Sequence, residues 1–242
     1  MSWVKSIVAS AASAVALGTS GVALGAIVVA SSGPSASQFP AGKKIDDSQS
    51  ITLRAGDTIT ILDHQGTRVL RGAGTFKANE TGRAAQSSTF AALTRQRASQ
   101  RVRTGAVRNA GPAGTVMSPN LWFIDISKPG IKCVVDGAPI RLWRADDAKP
   151  ATYTVSTAGG VASTVSFDVG SMVGALDTSN TPVADGAAYT IATSAGEAFG
   201  RFSFAVLPAQ PANPEDMASA LIDKGCSAQV DLLAASLAPQ GN

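Results

Sequence analysis

Two kinds of hydrophobic pattern run along this chain. From Ile7 to Ala30 the apolar residues are nearly continuous, interrupted only by small residues and by Gly18, Gly21 and Gly25. From Ser50 onward they alternate with polar ones, which is the period of a half-buried strand. Ile51 and Leu53 alternate with Thr52 and Arg54, and Ala55-Gly56-Asp57 turns the chain into Thr58-Ile59-Thr60-Ile61-Leu62. Asp63-His64-Gln65-Gly66 then closes a hairpin onto Thr67-Arg68-Val69-Leu70, and Gly72-Ala73-Gly74 leads to Thr75-Phe76. Turn residues at these positions predict a compact β-meander over residues 38–82.

A second β region follows at 119–208. Leu121–Ile126 is almost entirely apolar, as a strand covered on both faces would be. Further strands are expected at Ile131–Val135, Ile140–Arg144, Ala151–Ser156, Ala162–Phe167, Ala187–Thr193 and Gly200–Leu207. Asp-Gly, Gly-Gly and Pro-bearing joints at this spacing predict a sandwich of antiparallel sheets. The tail, 209–242, changes period. Asn213 is placed to cap a helix with Pro214 in its first turn and Glu215 and Asp216 beside them, where the helix dipole favours negative charge. Val230, Leu233 and Leu237 repeat at helical spacing in a second run. The fold class is therefore mainly β, a meander plus a sandwich-like domain, with a basic linker helix and C-terminal helices.

Charge distribution adds two segments. Lys5 is the only charge before Lys43, so residues 1–37 read as a charged start, an apolar stretch and small residues, the pattern of an export signal. Cleavage after Ala30 or after Ser37 would suit it; the alternative is a retained membrane anchor, since a bilayer core takes about 20 apolar residues. Residues 83–118 carry Arg83, Arg95, Arg97, Arg101, Arg103 and Arg108 with no acidic residue after Glu80. A helix starting at Ser88 or Thr89 and continuing through Arg103 is expected there, with Phe90 and Leu93 on its thin apolar stripe. It reads either as a solvated linker or as an arm in which Arg95, Arg97, Arg101, Arg103 and Arg108 bind an anionic lipid surface or polysaccharide. In an exported chain nucleic acid is not the expected partner.

The hairpin run from Leu53 to Asp63, continued by Gly66 to Leu70, resembles the short repeating strands of FecR-type periplasmic domains and of exported proteobacterial proteins that carry such a segment. The resemblance covers about thirty residues and implies an envelope β module, with signalling beside a membrane receptor as one role. FecR proteins place a cytosolic segment before their membrane helix; only five residues precede the apolar stretch here, which puts a sigma-factor role in doubt.

Composition narrows the chemistry. Of the 242 residues 45% are hydrophobic, enough for a buried core, while 15% are charged and 5% aromatic, so the core leans on Val, Ile and Leu. The net charge of +3 is too small to imply nucleic acid by itself. Cys133 and Cys226 are the only cysteines; in an oxidising compartment they are candidates for one disulfide, the alternative being two buried thiols. No metal spacing exists around two isolated cysteines and a single histidine. His64 sits in a turn beside Asp63 with no nucleophile elbow in the chain, and reads as a polar turn residue. Asp46-Asp47 and Asp146-Asp147 are adjacent pairs, which diverge on a strand. Trp122 and Trp143, flanked by Leu, Phe and Ile, read as core rather than a sugar-stacking platform. No catalytic, cofactor or metal constellation emerges. The expected role is a non-enzymatic periplasmic or secreted envelope protein, anchored if the leader is retained, that scaffolds or binds a protein partner.

Overall fold

The computed structural model describes residues 24–64, 66–78, 87–96, 116–158 and 160–238. It is mainly β, as expected, with two β units joined by a helical layer. The first unit comprises β1 (Leu24–Ser32), β2 (Lys44–Asp46), β3 (Ser50–Leu53), β4 (Thr58–Asp63), β5 (Gly66–Arg71) and β6 (Gly74–Lys77). β2, β1, β4 and β5 form one antiparallel sheet in that order, and β3 pairs with β6 in a second. The meander is thus folded across two layers. Only β4 and β5 form the hairpin that the sequence pattern marks, with Asp63 opposite Gly66. Gly66 supplies the φ of 129° that closes it. Ala26, Val28, Ile45, Ile51, Leu53, Ile59, Ile61 and Leu70 fill the space between the layers.

β1 corrects the boundary drawn at residue 37. The second half of the apolar stretch is an interior strand, with Ile27 opposite Leu62 and Val28 opposite Ile61. Ala26 and Val28 face the unit's own core, whereas Ile27 and Val29 face the helices. A strand buried on both faces reads as a continuous apolar run, as a leader does, and periodicity does not separate the two. Local contacts bind this segment further. A Cβ on Gly25 would lie 2.5 Å from the Asp47 backbone nitrogen, so only glycine permits that approach. The Asp57 carboxylate accepts hydrogen bonds from the N–H groups of Ser35 (2.8 Å) and Arg54 (2.6 Å). Burial pushes this carboxyl's pKa up, but those donors outweigh it and hold it below the usual value. Cleavage after Ala30 or Ser37 would therefore remove an interior strand.

The second unit is a two-sheet sandwich. Its strands are β7 (Phe123–Asp125), β8 (Gly130–Val135), β9 (Arg141–Trp143), β10 (Ala151–Thr157), β11 (Ser163–Phe167), β12 (Val173–Ala175), β13 (Ala188–Thr193) and β14 (Ala198–Leu207). The larger sheet has the order β11-β10-β13-β14-β8 and the smaller β12-β9-β7. Most pairs are antiparallel, but β14 with β8 and β7 with β9 run parallel. The core holds Ile124, Leu142, Val155, Phe167, Tyr189, Ile191, Phe202 and Phe204.

The helices are α1 (Ser87–Leu93), α2 (Pro214–Asp223) and α3 (Ser227–Ser236). α2 begins as its sequence dictates, with the Asn213 side chain accepting from the Asp216 N–H at 2.8 Å. α1 ends at Leu93, residues 94–96 are not helical, and the rest of the expected helix, through Arg103, lies outside the described residues. Donors from another segment take its last carbonyls: the Leu121 N–H bonds Leu93, the Trp122 indole bonds Thr94, and the Asn120 side chain bonds Arg95. Phe90 and Leu93 form the expected apolar stripe and are buried. Together with Ile27, Val29, Leu62, Leu121, Met217, Leu221, Val230, Leu233 and Leu237 they make a core shared by both β units and the helices.

A chain beginning at Leu24 is expected to fold, and one beginning at Gln38 to show no cooperative melting; circular dichroism checks both. Ile27→Ala should lower unfolding stability by about 2–5 kcal/mol in denaturant titrations.

Candidate functional site

The helical layer is built around the edge of the larger sandwich sheet. β8 is that sheet's last strand, and its residues divide between two environments. Val134 faces the sandwich core, while Cys133 faces the helices. Cys226, the residue preceding α3, meets it there, and the Cys133–Cys226 disulfide is formed with both residues fully buried. The bridge spans a sequence separation of 93 residues with a Cα–Cα distance of 5.8 Å.

Gln229, in the first turn of α3, completes the junction. Its side-chain carbonyl accepts the Cys133 N–H at 2.7 Å, and its amide donates to the carbonyls of Cys133 and Leu121, both at 2.9 Å. A side chain thereby replaces the missing neighbouring strand at one buried point of the ladder's edge. No sequence signal marked Gln229, because its partners are backbone groups about a hundred residues away.

Lys132, next to this clamp, is 2% exposed. It lines a cavity of about 30 Å³ with Ser118, Phe123, Asp125, Lys128 and Gln229. Burial pushes its amine below the usual lysine pKa; the Asp125 carboxylate opposes this and Lys128 adds to it. A larger cavity of about 260 Å³ lies at the other end of β8, between Asp136, Gly137, Ile140, Thr178, Pro182, Val183 and Val206. Asp136 and Thr178 put polar side chains into this wall beside Ile140, Pro182, Val183 and Val206.

The remaining candidates distribute as follows. His64 is exposed in the β4–β5 turn. The Asp63 carboxylate beside it is committed to the Arg68 guanidinium at 3.0 Å and to the Gly66 N–H. Arg68 also donates to the carbonyl of Ala78. Glu215 at the start of α2 is buried near this turn; desolvation raises its carboxyl pKa against the pull of its own backbone N–H and of His64. Among the described residues no group of three His, Cys, Asp or Glu side chains is placed to hold a metal ion. Asp146 accepts the Ala148 N–H, and Asp46 lies on β2. Trp122 and Trp143 are both buried; the Trp122 indole bonds the Thr94 carbonyl and the Gln210 side chain. Arg95 is exposed just past α1, whereas Arg83, Arg97, Arg101, Arg103 and Arg108 lie outside the described residues.

No protein family, curated protein or solved structure matches this chain.

The junction and the lysine beside it make three predictions. Replacing both cysteines by Ala should cost about 2–5 kcal/mol in denaturant unfolding, since a loop of this length is released. Gln229→Leu should cost about 3 kcal/mol with the disulfide intact, because it leaves buried backbone groups unpaired. Lys132→Met should raise the denaturation midpoint at neutral pH. The lysine's folded-state pKa lies below its unfolded one, so its burial is unfavourable below the folded pKa and is relieved as pH rises toward the unfolded value. The gain from Met should therefore shrink in titrations carried to pH values near 10.5, the ordinary value of a lysine.

Proposed function

We propose that this chain is a non-enzymatic envelope protein, exported to the periplasm or secreted, that acts as a scaffold or binding module. The observation that carries this reading is the buried Cys133–Cys226 bridge at the junction of the β units. Such a bond persists where the surroundings are oxidising and is rare in reducing cytosol. Among the described residues no helix is long and apolar enough to cross a membrane. The charged start and apolar residues of 1–23 supply the export signal, and the retained chain begins at or before Leu24, because β1 belongs to the fold.

The architecture supports binding rather than turnover. The titratable side chains gathered at the hairpin are tied to structure, Asp63 to Arg68 and Gly66. The larger cavity sets the Asp136 carboxylate and the Thr178 hydroxyl among apolar side chains, a mixed wall that suits holding a side chain of a partner.

Fractionated cells test this directly. The chain is expected in the envelope or medium, with both cysteines resistant to alkylation until unfolded and reduced, and with an N-terminus no later than Leu24. A cytosolic pool with two alkylatable thiols after denaturation would overturn the reading.

A further inference from the structure

We infer that the larger cavity, at the end of β8, is a socket for a basic side chain, Lys or Arg, of a protein partner, with Asp136 as its counter-charge. The inference rests on the binding-module reading above and names the chemistry of what is bound. The walls are held in place before anything enters. In the turn at residues 135–138 the Ala138 N–H bonds the Val135 carbonyl at 3.0 Å, and Gly137 supplies a φ of 68°. The other wall, between β12 and β13, is pinned by the buried Tyr189. Its hydroxyl donates to the Pro182 carbonyl at 2.7 Å and accepts the Ala184 N–H at 3.1 Å. The Leu176 N–H joins the two walls by bonding the Ile140 carbonyl at 3.0 Å. A preformed cavity of this kind loses little loop freedom when it is filled.

Size and charge select the occupant. The volume of about 260 Å³ falls below the roughly 300–1,000 Å³ of sites that enclose a whole small molecule, and suits one long side chain. Asp136, Gly137, Thr178 and Pro182 are exposed, so the cavity opens at the surface. Ile140, Val183 and Val206 offer apolar surface to an aliphatic stem, as the stems of Lys and Arg require. The Asp136 N–H is fixed on the Leu207 carbonyl at 2.9 Å, while among the described residues no donor or cation is bonded to its carboxylate. Two more carboxylates stand at the rim: Asp177 precedes Thr178, and Asp185 accepts the Val206 N–H at 2.7 Å. Lys224 offsets one of them, at 3.7 Å from Asp185. Arg141 follows Ile140, but Ile140 and Leu142 face the sandwich core, and strand alternation turns Arg141 to the other side of its sheet. Among the described residues no Lys, Arg or His lines the cavity. An anionic head group would meet unbalanced negative charge here, whereas an ammonium or guanidinium finds a carboxylate and the Thr178 hydroxyl as acceptors.

Amide NMR titrations of the full, disulfide-bonded chain test the inference, with the Nα-acetyl methylamides of lysine, arginine, norleucine and glutamate as probes. The lysine and arginine probes should saturably shift the signals of residues 135–138, Ile140, Thr178, Val183 and Val206. They should bind about threefold or more tighter than norleucine, which shares the stem without the charge; that is the scale of a solvent-exposed ion pair. Glutamate should leave the signals unmoved. Asp136→Asn should bring lysine down to the level of norleucine, and Ala138→Met, which fills the cavity, should abolish binding of all probes. An intact disulfide and a cooperative melt verify the fold of each variant. No saturable shift with lysine or arginine overturns the inference. So does norleucine bound as tightly as lysine, an Asp136→Asn chain that keeps the preference, or a filled cavity that still binds. Each of these leaves the envelope reading standing, which fails instead on a cytosolic chain with free thiols.

Discussion

One strand edge, β8, decides how this molecule is assembled. Its inner side chains belong to the sandwich, its outer ones to the helices, and its backbone is closed off by a glutamine instead of a strand. The disulfide at the same residue ties it to α3. Because α2 and α3 rest in turn on β1, β4 and β5 of the first unit, the two β units share a core and do not hang from a linker. A contact of this kind is dense in apolar side chains, so the hydrophobic effect supplies most of its strength and the covalent bond fixes its register.

The buried polar groups follow the same logic. Gln229, Asp57 and Asp63 each serve several hydrogen-bonding partners, and each stitches segments that are distant in sequence or that turn sharply. Arg144 is treated likewise: its guanidinium donates to the carbonyls of Ser171 and Asp168 and lies over the Phe167 ring. Lys132 is the counterexample, a buried cation whose opposing charge, Asp125, only partly compensates its desolvation.

What could be read from the residues was what local physics dictates. The β4–β5 hairpin announced itself by alternation and by Gly66, and α2 by Asn213, Pro214 and two acidic residues. The cysteine pair was legible from compartment logic, though not from any knowledge of which surfaces meet. β1 was misassigned because burial on two faces erases the alternation that marks a strand, leaving composition alone, which a leader shares. The end of α1 was invisible for a different reason: residues 120–122 terminate it by taking its carbonyls, and they lie far along the chain. Gln229 and the Lys132 cavity arise where α3 lies across β8, a docking that no window of sequence contains.

The position of β1 has a consequence for the order in which the molecule is made. This strand is synthesised before the helices that cover Ile27 and Val29. Until residues 214–236 arrive, one face of the first sheet is bare and apolar. The native state is therefore reached by late closure between β1 and α2 and α3, which are far apart in sequence. Folding of this kind is slow and exposed to aggregation. A holding factor that shields an unfinished sheet would matter more to this protein than one that speeds its final packing.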